Sequence, residues 1–226
     1  MSGFSAVWNG LDWSVLTDAV FSVIPALICI VLHEMSHGYV AYLLGDHTAK
    51  DRGRLTLNPL KHIDWWGLIM MVVCKFGWAK PVPIDMRNFK DPKRGMALTA
   101  LAGPVSNLLI AAVFLMLYGF TYVPLYVRGG AVAYRIFQMI ATTGYLSVAL
   151  AVFNFVPIPP LDGSKVLFSF LRDEQYDRLM HYERYGMVLL MVLIVTGFTS
   201  GILSTVTEWV YDKLFFFAEF AFELVN

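Results

Sequence analysis

The residues best suited to chemistry are His33, Glu34 and His37, in the run Val31-Leu32-His33-Glu34-Met35-Ser36-His37. On a helix, positions four apart lie on one face, one turn above the other. His33 and His37 can therefore present two imidazole nitrogens to one metal ion. Glu34 points beside that ion, where its carboxylate can take a proton from an attacking water. This is the arrangement of a zinc metalloprotease helix. The same residues would also suit the polar face of a soluble helix. Their setting argues against that: Ile24 to Val31 is almost wholly apolar, and Tyr39 to Leu44 is mostly so. Ionisable groups in such a helix are costly unless they face an interior and have partners.

A catalytic zinc usually takes three protein ligands and keeps one position for water. Asp162 is the best candidate for the third. It lies in Pro157-Ile158-Pro159-Pro160-Leu161-Asp162-Gly163, where the prolines impose an irregular backbone after an apolar run. Such backbone at membrane depth is tolerated only when buried in protein or lining a wet cavity. Asp162 can equally cap a helix that starts at Ser164, and spacing alone leaves the two readings level. Asn154, two turns before Asp162, and Asn107, four residues after Gly103, also lie in apolar runs. Each can donate a hydrogen bond to a carbonyl oxygen as negative charge develops on it. Each can instead tie helix to helix, with Gly103 permitting close approach. Cys29, one turn before His33, reads as a small buried residue before it reads as a ligand. His47, His62 and His181 fall in polar loops and read as surface residues or as supports for a metal site.

The elements that must position these groups are membrane helices. Of the 226 residues, 58% are hydrophobic and only 15% charged, with a mean hydropathy of +0.60. Soluble domains are about half apolar and a quarter charged. Formal net charge is zero, so nothing in it argues for nucleic acid. Two cysteines, Cys29 and Cys74, imply no disulfide framework.

Apolar runs predict spans over Ser14–Leu44, Gly95–Tyr118, Ala131–Val156 and Gly186–Leu203. Trp65–Cys74 is apolar but too short to cross, and reads as re-entrant or interfacial. Ala79–Asp85, with Pro81 and Pro83, reads as extended backbone. Ser164–Tyr185 is a short amphipathic stretch. Thr205–Asn226 reads as an interfacial helix, with a fifth span or simple packing on the bundle as alternatives. The expected fold is thus an all-α polytopic membrane protein. It has about four transmembrane helices, a re-entrant or β-like segment and a C-terminal interfacial helix, in one membrane-embedded metalloprotease domain over 1–226.

Lysine and arginine are dense after the first span and after the third, and sparse after the second. That alternation puts the N-terminus outside and the basic loops in the cytoplasm. The histidine pair and the break at Pro157–Gly163 then both fall towards the cytoplasmic face of the cell membrane.

Three motifs resemble the site-2 protease family of intramembrane zinc metalloproteases. His33-Glu34-Met35-Ser36-His37 is similar to that family's metal-binding helix. Gly103-Pro104-Val105-Ser106-Asn107 resembles its glycine-to-asparagine motif. Asn154 through Gly163 resembles its asparagine-proline-leucine-aspartate-glycine segment. Gly45-Asp46 through His62-Ile63-Asp64, including Gly53-Arg54-Leu55-Thr56-Leu57-Asn58-Pro59, looks like the compact prokaryotic members without a PDZ domain. The resemblance implies one zinc ion held by His33, His37 and Asp162, with Glu34 activating water. It also implies a transmembrane protein as substrate, with the lipid bilayer as surroundings. Asn154 and Asn107 are the candidates for contact with the substrate or its oxyanion. Two other readings are a non-catalytic zinc-binding membrane protein and a zinc transporter, the latter expecting ligands strung along a path across the membrane. Oligomeric state is not legible.

Overall fold

A computed structural model of the chain describes residues 13–67, 79–197 and 200–226. The first helix, α1 (Trp13–Leu43), has 31 residues and is about 46 Å long at 1.5 Å per residue. It exceeds the hydrocarbon thickness and must tilt or protrude. It stops at Gly45, whose φ of +106° is open to glycine at little cost. A short helix α2 (Thr48–Asp51) and a loop follow, up to Gly67. Residues 68–78, most of the expected re-entrant stretch, lie outside the described residues. Ala79–Asp85 is extended, as its prolines require, and is joined to the loop by one antiparallel bridge between Ile63 and Ala79.

The central element is α3 (Pro92–Thr121), prolonged by a wider turn over Tyr122–Val127. Asp91 caps its start by accepting from the Arg94 N–H. One face carries Thr99, Gly103, Asn107, Ala111, Leu115 and Gly119, all buried and spaced by four. The other carries Leu98, Val105, Leu109, Val113 and Leu117, all exposed and large. The mostly small stripe lets neighbours approach closely, while the large residues suit lipid. Against the stripe pack α1 and α4 (Ala131–Phe155). Ser147 on α4 donates to the Asn107 carbonyl at 2.8 Å.

After α4 the chain breaks at the prolines, then forms α5 (Asp162–Ser169) and α6 (Asp173–Val195). Among the described residues α1, α3 and α4 are long and apolar enough to cross a membrane. The fourth expected span meets a shorter apolar run, Tyr185–Ile194, at the end of α6. Residues 198 and 199 within it lie outside the described ones. The tail forms α7 (Ser200–Leu214) and α8 (Phe216–Glu223). Leu203, Val210, Tyr211 and Leu214 of α7 pack on Ala111, Val148 and Val152. Gly119 meets the α8 backbone at Ala218 so closely that no Cβ fits. The tail therefore packs on the bundle.

Candidate metal centre

His33 and His37 lie on α1, which ends about 9 Å beyond His37. Both are buried. Their Nε2 atoms are 3.0 Å apart, and each is 3.1 Å from Oδ2 of Asp162. Asp162 is the first residue of α5, and Leu161 is its N-cap. The carboxylate faces the imidazoles instead of capping the helix. The fold-back depends on Gly163, because a Cβ there would strike the Phe155 carbonyl oxygen. To serve as a ligand the carboxyl must be ionised.

The imidazoles are held from behind. Nδ1 of His37 lies 2.7 Å from the Thr99 carbonyl oxygen. A carbonyl only accepts, so Nδ1 carries a proton, and Nε2 is the atom that a metal ion would take. Nδ1 of His33 lies 3.2 Å from the amide of Asn107. With Nε2 free to bind a metal, that Nδ1 also carries a proton, so the amide oxygen belongs beside it. Turning the amide over satisfies Oδ1 of Asn107, which is otherwise buried without a partner. Gly103 lies between these supports, where a Cβ would come within 2.5 Å of both imidazole rings.

These atoms fit a cation. Oδ2 of Asp162 is buried without a hydrogen-bond donor, yet three electron-rich atoms converge on one point. A shared proton can join two of them, whereas a metal ion can join all three. His33, His37 and Asp162 are the one group of three or more such ligands among the described residues. Two nitrogen donors and one carboxylate oxygen suit catalytic zinc, which usually takes three protein ligands.

Glu34 is half-buried beside the group, and its Oε2 accepts the Val82 N–H at 2.8 Å. Two cavities meet at this point. A larger one of about 260 Å³ is lined mainly by apolar residues, including Ile30, Leu150, Phe153 and Leu190, with His33, Glu34 and Asn154. A smaller one of about 170 Å³ holds all three ligands with Glu34, Asn154 and Lys165.

Asn154 thus lines both cavities, and its amide donates to the Leu150 carbonyl at 2.9 Å. Asn107 lines neither. It is fully buried behind His33, so it is placed to orient a ligand and not to meet a substrate carbonyl. Cys29 is buried with Sγ 3.5 Å from the Thr143 carbonyl, apart from the ligand group, as expected of a small packing residue. His62, expected in a polar loop, is only 2% exposed. The side chain of His181 lies outside the described ones. Thr99 and Val82 were not legible as site residues, because both act through backbone atoms.

A buried His-His-Asp group with a neighbouring glutamate, set inside an apolar helical bundle, defines the class of membrane zinc metalloproteases. Comparison with known proteins agrees. Residues 122–198, which include Asp162, match the model of peptidase family M50. The chain is 38% identical over 189 residues to a Bacillus subtilis protein named "Putative zinc metalloprotease YwhC", covering 81% of this chain and 84% of that one. It is 30% identical over 200 residues to the Mycolicibacterium smegmatis "Putative zinc metalloprotease Rip2", covering 86% and 71%. No solved structure matches. The chain belongs to peptidase family M50, the site-2 protease family, and is a zinc metalloprotease of the membrane.

Proposed function

We propose that the chain is an intramembrane protease. It hydrolyses peptide bonds within or near the transmembrane segments of other membrane proteins, in regulated proteolysis. The observation that carries this reading is the convergence of His33, His37 and Asp162 at 3.0–3.1 Å inside the apolar bundle. His33, His37 and Asp162 would hold one zinc ion there, which when bound would supply Lewis acidity and acidify the attacking water.

The chain's own residues do the rest. Glu34 accepts the proton of the attacking water and later delivers it to the leaving amine. Asn154, at the junction of the two cavities, donates its second amide hydrogen towards the developing oxyanion. The apolar lining of the larger cavity receives side chains of a transmembrane segment. That segment must be extended first, because a helix hides its carbonyls in its own hydrogen bonds. On the Lys80–Asp85 stretch, Ile84 and the carbonyls of Val82 and Pro83 supply the edge for it to pair with, since the Val82 and Asp85 N–H groups are held by Glu34 and Asp46. The dense lysines and arginines of the loops after α1 and α4 support a site facing the cytoplasmic side of the cell membrane.

The test is Glu34→Gln, purified in detergent. It is expected to retain one zinc per chain and to lose turnover. A membrane protein that copurifies with this variant and is cut by the wild type would identify the substrate. Normal turnover by Glu34→Gln sinks the mechanism.

A further inference from the structure

The segment Gly53–Asp64 has no part in the mechanism above, yet it is folded firmly against Ala79–Asp85. Arg54 is 8% exposed. Its Nη2 donates to the carbonyl oxygens of Lys80 at 2.7 Å and Pro81 at 3.2 Å. Its Nε is buried without a partner, and Arg54 is in none of the ion pairs among the described residues. A buried guanidinium answered only by carbonyls is an expensive way to hold a loop. His62 grips the same point from the other side. Its backbone oxygen accepts the Lys80 N–H at 2.9 Å, and its Nε2–H donates to the Thr56 carbonyl at 2.8 Å.

The next residue is Val82, whose N–H reaches Oε2 of Glu34 at 2.8 Å. Pro81 and Pro83 have no N–H, so Val82 offers the one amide in this three-residue run. Its side chain is lodged against α1 at Gly38, where a Cβ would meet Val82 Cγ1 at 3.0 Å and Leu55 Cδ2 at 2.9 Å. Farther on, Asp46 accepts the Asp85 N–H at 2.8 Å. The extended stretch is thus pinned on both sides of the amide that touches Glu34.

We propose that Arg54 is a positioning residue for Glu34. By fixing the carbonyls of Lys80 and Pro81 it sets the Val82 N–H. That N–H holds one oxygen of the Glu34 carboxylate and leaves the other for the proton it accepts. A guanidinium suits the task because the two hydrogens of its Nη2 can serve two successive carbonyls at once. The inference rests on the reading of Glu34 as the base. Misplacing a catalytic group by about 1 Å can cost about 100-fold in rate.

The test is amide hydrogen exchange and turnover on the full chain in detergent micelles, with a polypeptide carrying one transmembrane helix as the substrate probe. Arg54→Ala is expected to speed exchange of the Val82 amide at least about tenfold, while amides of α1 and α3 keep their protection. It should lower kcat about 10- to 100-fold with KM within about twofold, and Arg54→Lys should restore part of both. Val82→Pro, which deletes the donor and keeps the arginine, should lower kcat by a similar factor, and the two changes together should not multiply. Unchanged Val82 exchange in Arg54→Ala, or wild-type kcat in Val82→Pro, overturns the proposal. So does a general loss of protection in both Arg54→Ala and Arg54→Lys, which would mark the arginine as a residue of the fold. Full turnover by Glu34→Gln would remove the base reading instead, while the exchange result still decides whether Arg54 sets the Val82 amide.

Discussion

The side-chain amide of Asn107 lies 3.2 Å from Nδ1 of His33, on the far side of the imidazole from Asp162. It sets the tautomer in which Nε2 is free. Asn107→Ala should lower zinc affinity about 10- to 100-fold. Asn107→Asp, which keeps an acceptor facing Nδ1, should lose less. Zinc titration against a competing chelator measures both, and wild-type affinity in Asn107→Ala would show that the amide does not orient the ligand.

Gly103 touches both ligand rings, and a Cβ would come within 2.5 Å of each. Gly103→Ala must push α3 away from α1 or rotate an imidazole. Overpacking of this kind costs about 1–3 kcal/mol, and here the strain falls on the ligands. The expected result is a lower Tm with zinc and weakened zinc retention. A variant with wild-type zinc content and Tm would contradict the close approach.

Asp162 is the one anionic member of the metal group. Asp162→Asn keeps the shape and removes the charge, so the purified variant should contain far less zinc than the wild type. Chelation of the wild type should abolish turnover, and added zinc should restore it. Stoichiometric zinc in Asp162→Asn would assign the third ligand elsewhere.

Asp46 is fully buried at the end of α1. Burial alone would raise its carboxyl, but the Thr48 hydroxyl, the Asn88 amide, and the backbone N–H groups of Asp85 and Thr48 hold it below the usual carboxylate range. A lowered folded value means stability that is fully present above the unfolded carboxylate value, about 3.9. It is lost as pH falls through the lower folded value. Asp46→Asn should cost about 1–3 kcal/mol near neutrality, because hydrogen bonds to a charged acceptor are lost. It should also flatten the acid limb of a Tm-against-pH curve. An unaltered acid limb would show that other carboxylates set it.

Much of this was legible from residue spacing. The three long apolar runs became α1, α3 and α4 with ends within three residues of those expected. His33, Glu34 and His37 fell on one helix because a four-residue repeat leaves little choice. Asp162 was level between ligand and cap until the longer motif was considered, since one carboxylate after a proline run serves either purpose. Asn107 reads from sequence as a group that could meet substrate or tie helix to helix, and the structure puts it behind a ligand. Sequence shows that an asparagine is buried in an apolar run, but not which side of a neighbouring imidazole it reaches. Thr99 could not be found, because any residue there carries the same carbonyl. The tail was ambiguous for a similar reason: its apolar face suits lipid or protein equally, and only the small stripe on α3 decides.

The ligands come from unequal supports. The two histidines ride on a continuous helix, whereas Asp162 follows a run of prolines that obeys no regular repeat. Captured zinc would therefore act as a rivet between a regular element and an irregular one. Demetallation should then show itself first as protease nicking around Pro157–Gly163, before any melting of the helices.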